Sequence, residues 1–249
     1  MKYLVLILSV FSLNLKAQNI DSLGKVEVYY NHYNHKKLNA YIIPTVFVGY
    51  GLVSLGSNAI RDLDLSTKAE LSEDHPKFAA HVDDYAIFSP LLAMYALDIA
   101  GIKAKNNALD QTAMVLITTA ITTATITTLK SKTHRLRPDG SSDNSFPSGH
   151  TATVFAAAEM LRQEFKDQSP WLGYAAYAVA TATGMLRMYN NKHWLSDVVA
   201  GAGFGILSTK LTYVVYPHLK KFIGPHMRSL SFAPLYQQHQ LAYRFAYKF

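Results

Sequence analysis

Residues 146–165 read FPSGHTATVFAAAEMLRQEF, and the fold turns on how this stretch is read: a Pro-Ser-Gly turn opens directly into a long apolar segment. Alanine, leucine, methionine and glutamate are strong helix formers, so the segment is predicted helical from about Ser148. Pro147 suits a helix start, where its missing N–H has no partner to lose, and the first free N–H groups of a helix favour an anion. Immediately upstream lies a basic run, KSKTHRLRP, residues 130–138. A helix mouth next to positive charges reads as a phosphate cradle, with His150 at its edge.

Working outward, three uncharged runs at 38–60, 111–129 and 168–186 approach the length that crosses a bilayer. Three more apolar segments, at 85–102, 148–165 and 196–216, have helical length but are interrupted by Asp98, by Glu159, Arg162 and Glu164, and by Lys210. The expected fold class is therefore all-α, with six helices. In the third of these, LITTAITTATITTL carries β-branched residues that pull toward strand. The tail, RSLSFAPLYQQHQLAYRFAYKF, alternates at Leu241, Tyr243, Phe245, Tyr247 and Phe249 and predicts a short C-terminal β-hairpin.

At 249 residues and 49% apolar composition the chain can bury one substantial core. Residues 1–17, MKYLVLILSVFSLNLKA, combine an early lysine, an apolar run and a small residue at the end, the pattern of a signal peptide. The expected organisation is a signal peptide at 1–17, a polar segment at 18–37, a helical domain at 38–220 and a strand-like tail at 221–249. Without residues 1–17 the chain carries 22 basic against 17 acidic side chains. That excess suits an anionic substrate or membrane surface, and no aromatic-basic pattern points to nucleic acid. There is no cysteine, which excludes disulfides, thiolate metal sites and cysteine nucleophiles. His32 and His35 have no carboxylate or cysteine at ligand spacing and read as part of a polar linker.

In an up-and-down bundle the third helix ends and the fourth begins on one side, and the chain returns there between the fifth and sixth. Lys130, Arg137, Ser148, Gly149, His150, Arg187, His193 and Asp197 all fall at those turns. The three cations can neutralise phosphate oxygens, with arginine binding two at once. Ser148 and Gly149 would offer backbone N–H groups. His193 and Asp197 are one helical turn apart, so the carboxylate could accept the imidazole N–H and leave the other nitrogen free as a nucleophile. His150 could protonate the leaving oxygen. Taken singly, each residue also reads as an ordinary helix-end charge or cap. Lys132, His134, Arg135 and Lys192 read as surface or headgroup contacts, and Asp83 and Asp84 as the acidic start of the second helix. Loops at 61–84 and 132–144 and residues 190–192 are expected to contact the headgroup.

These stretches resemble the three signature motifs of the type 2 phosphatidate phosphatase family. The pattern is Lys, six residues, Arg-Pro; then Pro-Ser-Gly-His; then Ser-Arg, five residues, His, three residues, Asp. Lys130, Arg137, Pro138, residues 147–150, Arg187, His193 and Asp197 match in order and spacing, and Leu186 stands where the family often has serine. The resemblance implies a six-helix bundle of the phosphatidate phosphatase/haloperoxidase type and a phosphohistidine at His193. It assigns activation to Asp197, proton donation to His150, and phosphate contacts to Lys130, Arg137, Ser148, Gly149 and Arg187, with no metal and no cofactor.

An exported, apolar bundle suits a phosphorylated lipid as substrate: phosphatidate, a prenyl pyrophosphate, phosphatidylglycerophosphate or lipid A. Two rival readings are a vanadate-dependent haloperoxidase and a non-catalytic lipid-phosphate-binding membrane protein. If residues 1–17 are removed, six crossings would put the catalytic end in the cytoplasm. The 38–60 run, with Pro44 and three glycines, is a candidate non-crossing segment, and a mean hydropathy of +0.04 is low for six spans. The expectation is a periplasm-facing site in the cell envelope, on an integral or peripheral protein.

Overall fold

The computed structural model describes residues 32–56, 58–75, 78–227, 230–237 and 240–247. The signal peptide expected at 1–17, and the polar segment expected at 18–37 up to residue 31, lie outside the described residues. Eight helices are present among the described residues: α1 His32–Val53, α2 Ala59–Asp74, α3 Val82–Ala86, α4 Ser89–Ile99, α5 Ala108–Thr133, α6 Gly149–Phe165, α7 Pro170–Tyr189 and α8 Leu195–Met227. They are followed by β1 Leu230–Gln237 and β2 Gln240–Tyr247, which pair antiparallel with Leu230 opposite Tyr247 and Gln237 opposite Gln240. Residues Lys37–Phe249 form one unit; of the preceding unit, Met1–Lys36, only the start of α1 is described.

The count of six helices is corrected by α2 and α3, which occupy the expected 61–84 loop. α2, AIRDLDLSTKAELSED, has no apolar run to announce it, and its fully buried side chain is an acid, Asp64. What makes it helical is local: Asn58 caps its first turn, accepting from Ile60 and Arg61 N–H at 3.0 and 3.3 Å, and leucine, alanine, lysine and glutamate fill it. At five residues, α3 is too short to show a period. The sixth expected helix also runs on, past Pro217 to Met227.

The threonine-rich run is helical within α5. Thr127 Oγ1 turns back on the helix, donating to Thr123 O at 2.7 Å, while Thr118 Oγ1 crosses to Thr212 Oγ1 of α8 at 2.8 Å. Asn107 caps its start, and its C-terminal turn carries Lys130 and Lys132, where cations complement the helix dipole. His134 takes the left-handed conformation, φ 44°, that ends the helix and redirects the chain.

α6 is the axis of the bundle, packed by α4, α5, α7 and α8. Val154, Ala158, Met160 and Phe165 are buried there against Met94, Met114, Ala180 and Ile206. Of the charged residues that interrupt the apolar pattern, Glu159, Glu164 and Lys210 lie inside and tie helices together. Glu159 is fully buried, bonded to Arg162 and Tyr177 and paired at 2.9 Å with Lys210 of α8. Along α8, Gly201 and Gly205 let its backbone lie directly on α6: a Cβ on Gly201 would sit 2.6 Å from Ser148 O, and one on Gly205 would collide with Ala152 O. This seam brings the starts of α6 and α8 together, where Ser148 N–H donates to Asp197 O at 3.0 Å.

Candidate active site

Four helix ends, those of α5, α6, α7 and α8, bring the expected residues to one end of the bundle. Lys130, in the last turn of α5, donates to Asn144 O, and Arg137 Nε reaches the same residue's Oδ1 at 3.1 Å. The loop 134–148 is thereby folded back over the end of α5. Arg187, in the last turn of α7, is buried; one guanidinium nitrogen bonds Asp83 of α3, and its Nε is buried with no hydrogen-bond partner among the described residues. An unsatisfied, buried guanidinium N–H is costly unless something accepts from it, so it marks a place for an acceptor from outside the chain.

The start of α6 corrects one expectation. Ser148 is fully buried and its N–H is already given to Asp197 O, while its Oγ caps Thr151 N–H at 3.4 Å and pairs with Thr151 Oγ1 at 2.8 Å. Ser148 therefore builds the helix start, and the N–H groups left without partners among the described residues are those of Gly149 and His150. At Gly149 a Cβ would meet nothing nearer than Ile126 at 3.7 Å, so the protein leaves open the space a side chain would take.

The second correction concerns how His193 is held. Its Nδ1 lies 2.8 Å from Ser145 O and 3.8 Å from Asp197 Oδ2, so the expected direct hydrogen bond to Asp197 is replaced by one to a backbone carbonyl. A carbonyl can only accept, so Nδ1 carries the proton and Nε2 presents a lone pair. Asp197 is occupied elsewhere: Oδ2 accepts from Ser145 Oγ at 2.5 Å and Trp194 N–H at 3.0 Å, and Oδ1 from Arg135 Nη1 at 2.7 Å. Burial drives the His193 imidazole down to about 4, with the Lys130 and Arg187 cations adding to the fall and Asp197 opposing it. The ring is neutral at physiological pH, as a nucleophile must be.

His150 stands in contrast, a third exposed, with Nε2 at 2.9 Å from Asp84 Oδ1. Burial and the Arg187 cation lower its pKa, against the pull of Asp84 and Asp83. Asp83 and Asp84 are thus more than an acidic helix start: they hold the phosphate-binding arginine and the proton donor of the expected chemistry. Asn190 pins their segment, bonding both N–H and O of Ala80 at 3.0 and 2.8 Å. Lys192 pairs with Asp139 at 2.8 Å, and His134 with Asp143 at 3.2 Å, both at the surface as expected. Arg135, expected there too, is instead nearly buried between Asp64 and Asp197.

The residues the sequence reading missed are Ser145, Arg135 as a buried group, and Asp64.

Residues 111–221 match the family model of the PAP2 superfamily. The chain is 39% identical to a lipid A 1-phosphatase of Porphyromonas gingivalis over 140 residues, which is 55% of this chain and 31% of that protein. It is 40% identical to a lipid A 1-phosphatase of Rhizobium etli over 75 residues, 29% of each. The chain thus spans about a third of the length of these curated relatives. Among solved structures it is similar to a transmembrane PAP2 type phosphatidylglycerolphosphate phosphatase from Bacillus subtilis, with 18% identity and a TM-score of 0.49 over 75% of this chain and 98% of that one.

Proposed function

Because residues 111–221 match the family model of the PAP2 superfamily, we propose that this protein is a metal-independent lipid phosphate phosphatase of the type 2 phosphatidate phosphatase kind, working through a phosphohistidine. The observation that carries this reading is His193: buried, neutral, its proton fixed on Nδ1 by Ser145 O, and set among the cations of Lys130 and Arg187. In the first step Nε2 of His193 attacks phosphorus, the bond from phosphorus to the lipid oxygen breaks, and His150 gives that oxygen a proton. In the second, water attacks the phosphohistidine, its proton returns to His150, and phosphate leaves. Arg187 through its unpartnered Nε, Arg137, Lys130 and the free N–H groups of Gly149 and His150 neutralise the charge that builds on the phosphoryl oxygens. Those side chains and N–H groups supply the charge that a metal supplies in other phosphatases.

A lipid substrate fits the surface. Two helices, Ala108–Thr133 and Leu195–Phe222, are long and apolar enough to cross a membrane, and only 22% of the apolar window of the first is covered by protein. Leu109, Leu116, Trp171 and Tyr174 stand exposed on the bundle. The reading places the protein in the cell envelope with its site at the membrane edge, facing the periplasm. The identity to lipid A 1-phosphatases favours a phosphorylated glucosamine lipid over phosphatidate, prenyl pyrophosphate or phosphatidylglycerophosphate. In detergent, the purified protein is expected to release phosphate from one of these four with chelator present, and to trap acid-labile label on a histidine. His193→Ala should do neither; turnover by a folded His193→Ala protein would sink the mechanism.

A further inference from the structure

Arg135 lies two residues before the phosphate-binding Arg137 and is charged like it, yet the two have different surroundings. Arg137 is half-buried and bonds Asn144, whereas the Arg135 side chain is 12% exposed and shares its guanidinium between two buried carboxylates. Nη1 donates to Asp197 Oδ1 at 2.7 Å and to Ser196 Oγ at 2.8 Å; Nη2 donates to Asp64 Oδ2 at 2.6 Å. The Trp194 ring lies under it, 5.7 Å away. Asp64, from α2, also accepts from Ser196 N–H and Oγ at 2.8 and 2.6 Å, capping the start of α8 from another helix. The Arg135 backbone joins in, its O accepting from Ser145 N–H at 2.8 Å.

These bonds all bear on one imidazole. Ser145 fixes His193 by its carbonyl and is itself fixed at three points: N–H on Arg135 O, hydroxyl on Asp197, and carbonyl on the ring. Asp197 takes the Ser145 hydroxyl and Trp194 N–H on Oδ2, and Arg135 anchors its other oxygen. We propose that Arg135, clamped between Asp64 and Asp197, is a positioning residue that sets the orientation of His193 through Asp197 and Ser145. The inference rests on the nucleophilic role given to His193 above. Misdirecting a nucleophile costs rate and not substrate binding, so the effect belongs in kcat.

The test compares Arg135→Gln, Arg135→Lys and Asp64→Asn with wild type and His193→Ala, each purified in detergent and checked for a cooperative thermal transition. Arg135→Gln is expected to lose about 30-fold or more in kcat with KM within threefold, and Arg135→Lys to recover about tenfold of that. A second readout is the acidic limb of the rate profile. His193 is faced by Lys130 from α5, Arg187 from α7, Asp197 from α8 and, behind it, Arg135 and Asp64. Removing the Arg135 cation raises the proton affinity of both His193 and Asp197, so the limb moves to higher pH; removing the Asp64 anion moves it lower. A wild-type kcat in folded Arg135→Gln overturns the proposal, as does an acidic limb unmoved in Asp64→Asn should Arg135→Gln not fold. If His193→Ala itself turns over, the function proposed above fails; if it is dead while the Arg135 variants match wild type, only this inference fails.

Discussion

The two histidines of the site are built to opposite specifications. His193 is 3% exposed and held by a backbone carbonyl, and Asp197 behind it has both carboxylate oxygens bonded. The His150 side chain is 33% exposed and rests on one partner, Asp84, which is itself half exposed. The difference fits the roles proposed for each. A nucleophile must be neutral and aimed before the substrate arrives, which dryness and multiple bonds secure. A proton donor must meet a leaving oxygen still attached to a bulky lipid, so its side of the site has to stay open.

The comparison is broken most forcefully with an activated leaving group. On a nitrophenyl phosphate, whose oxygen needs no proton to depart, His193→Ala should still lose about 10⁴-fold or more in kcat, whereas His150→Ala should approach wild type. On a lipid phosphate His150→Ala should fall by about 10²- to 10⁴-fold. Equal losses for the two variants on both substrates would mean that His150 does not act as the acid. Next in size is Ser145→Ala, which deletes the hydroxyl on Asp197 but keeps the carbonyl on His193. Its kcat is expected to drop by about tenfold with KM unchanged, in line with a supporting bond. The smallest effect sharpens the open side. In Asp84→Asn the anion that holds the proton on His150 is gone, so His150 titrates at lower pH and the alkaline limb of kcat moves down, with only a few-fold loss at its optimum. A limb that stays in place would show that another group sets it.

The same contrast explains what the sequence made legible. The residues at the ends of α5, α6, α7 and α8 were readable because chemistry demands particular types at fixed distances: Lys130 to Arg137, Ser148 to His150, His193 to Asp197. Helices α5 to α8 were readable from their apolar runs, and the alternation from Leu241 to Tyr247 falls within β2, with Phe249 outside the described residues. Asp64 and Arg135 were hidden by the rule that charge means surface, which holds until two charges bury each other. α2 was hidden for the same reason, since its packing is polar. The hydrogen bond that orients His193 was out of reach, because its acceptor is a main-chain oxygen that any residue at position 145 would carry.

One feature of the bundle bears on how steady the site can be. Where Gly201 and Gly205 rest on α6, the gap between the two helices is set by main chain against main chain. Main chain in a helix has no rotamers, so nothing at this seam can loosen by a side chain changing its conformation. The spacing between the starts of α6 and α8, which carry Ser148 and Asp197, is thus fixed by direct main-chain contact. Under the function proposed above, with lipid of shifting composition against its outer surface, the site has a gauge block at its centre.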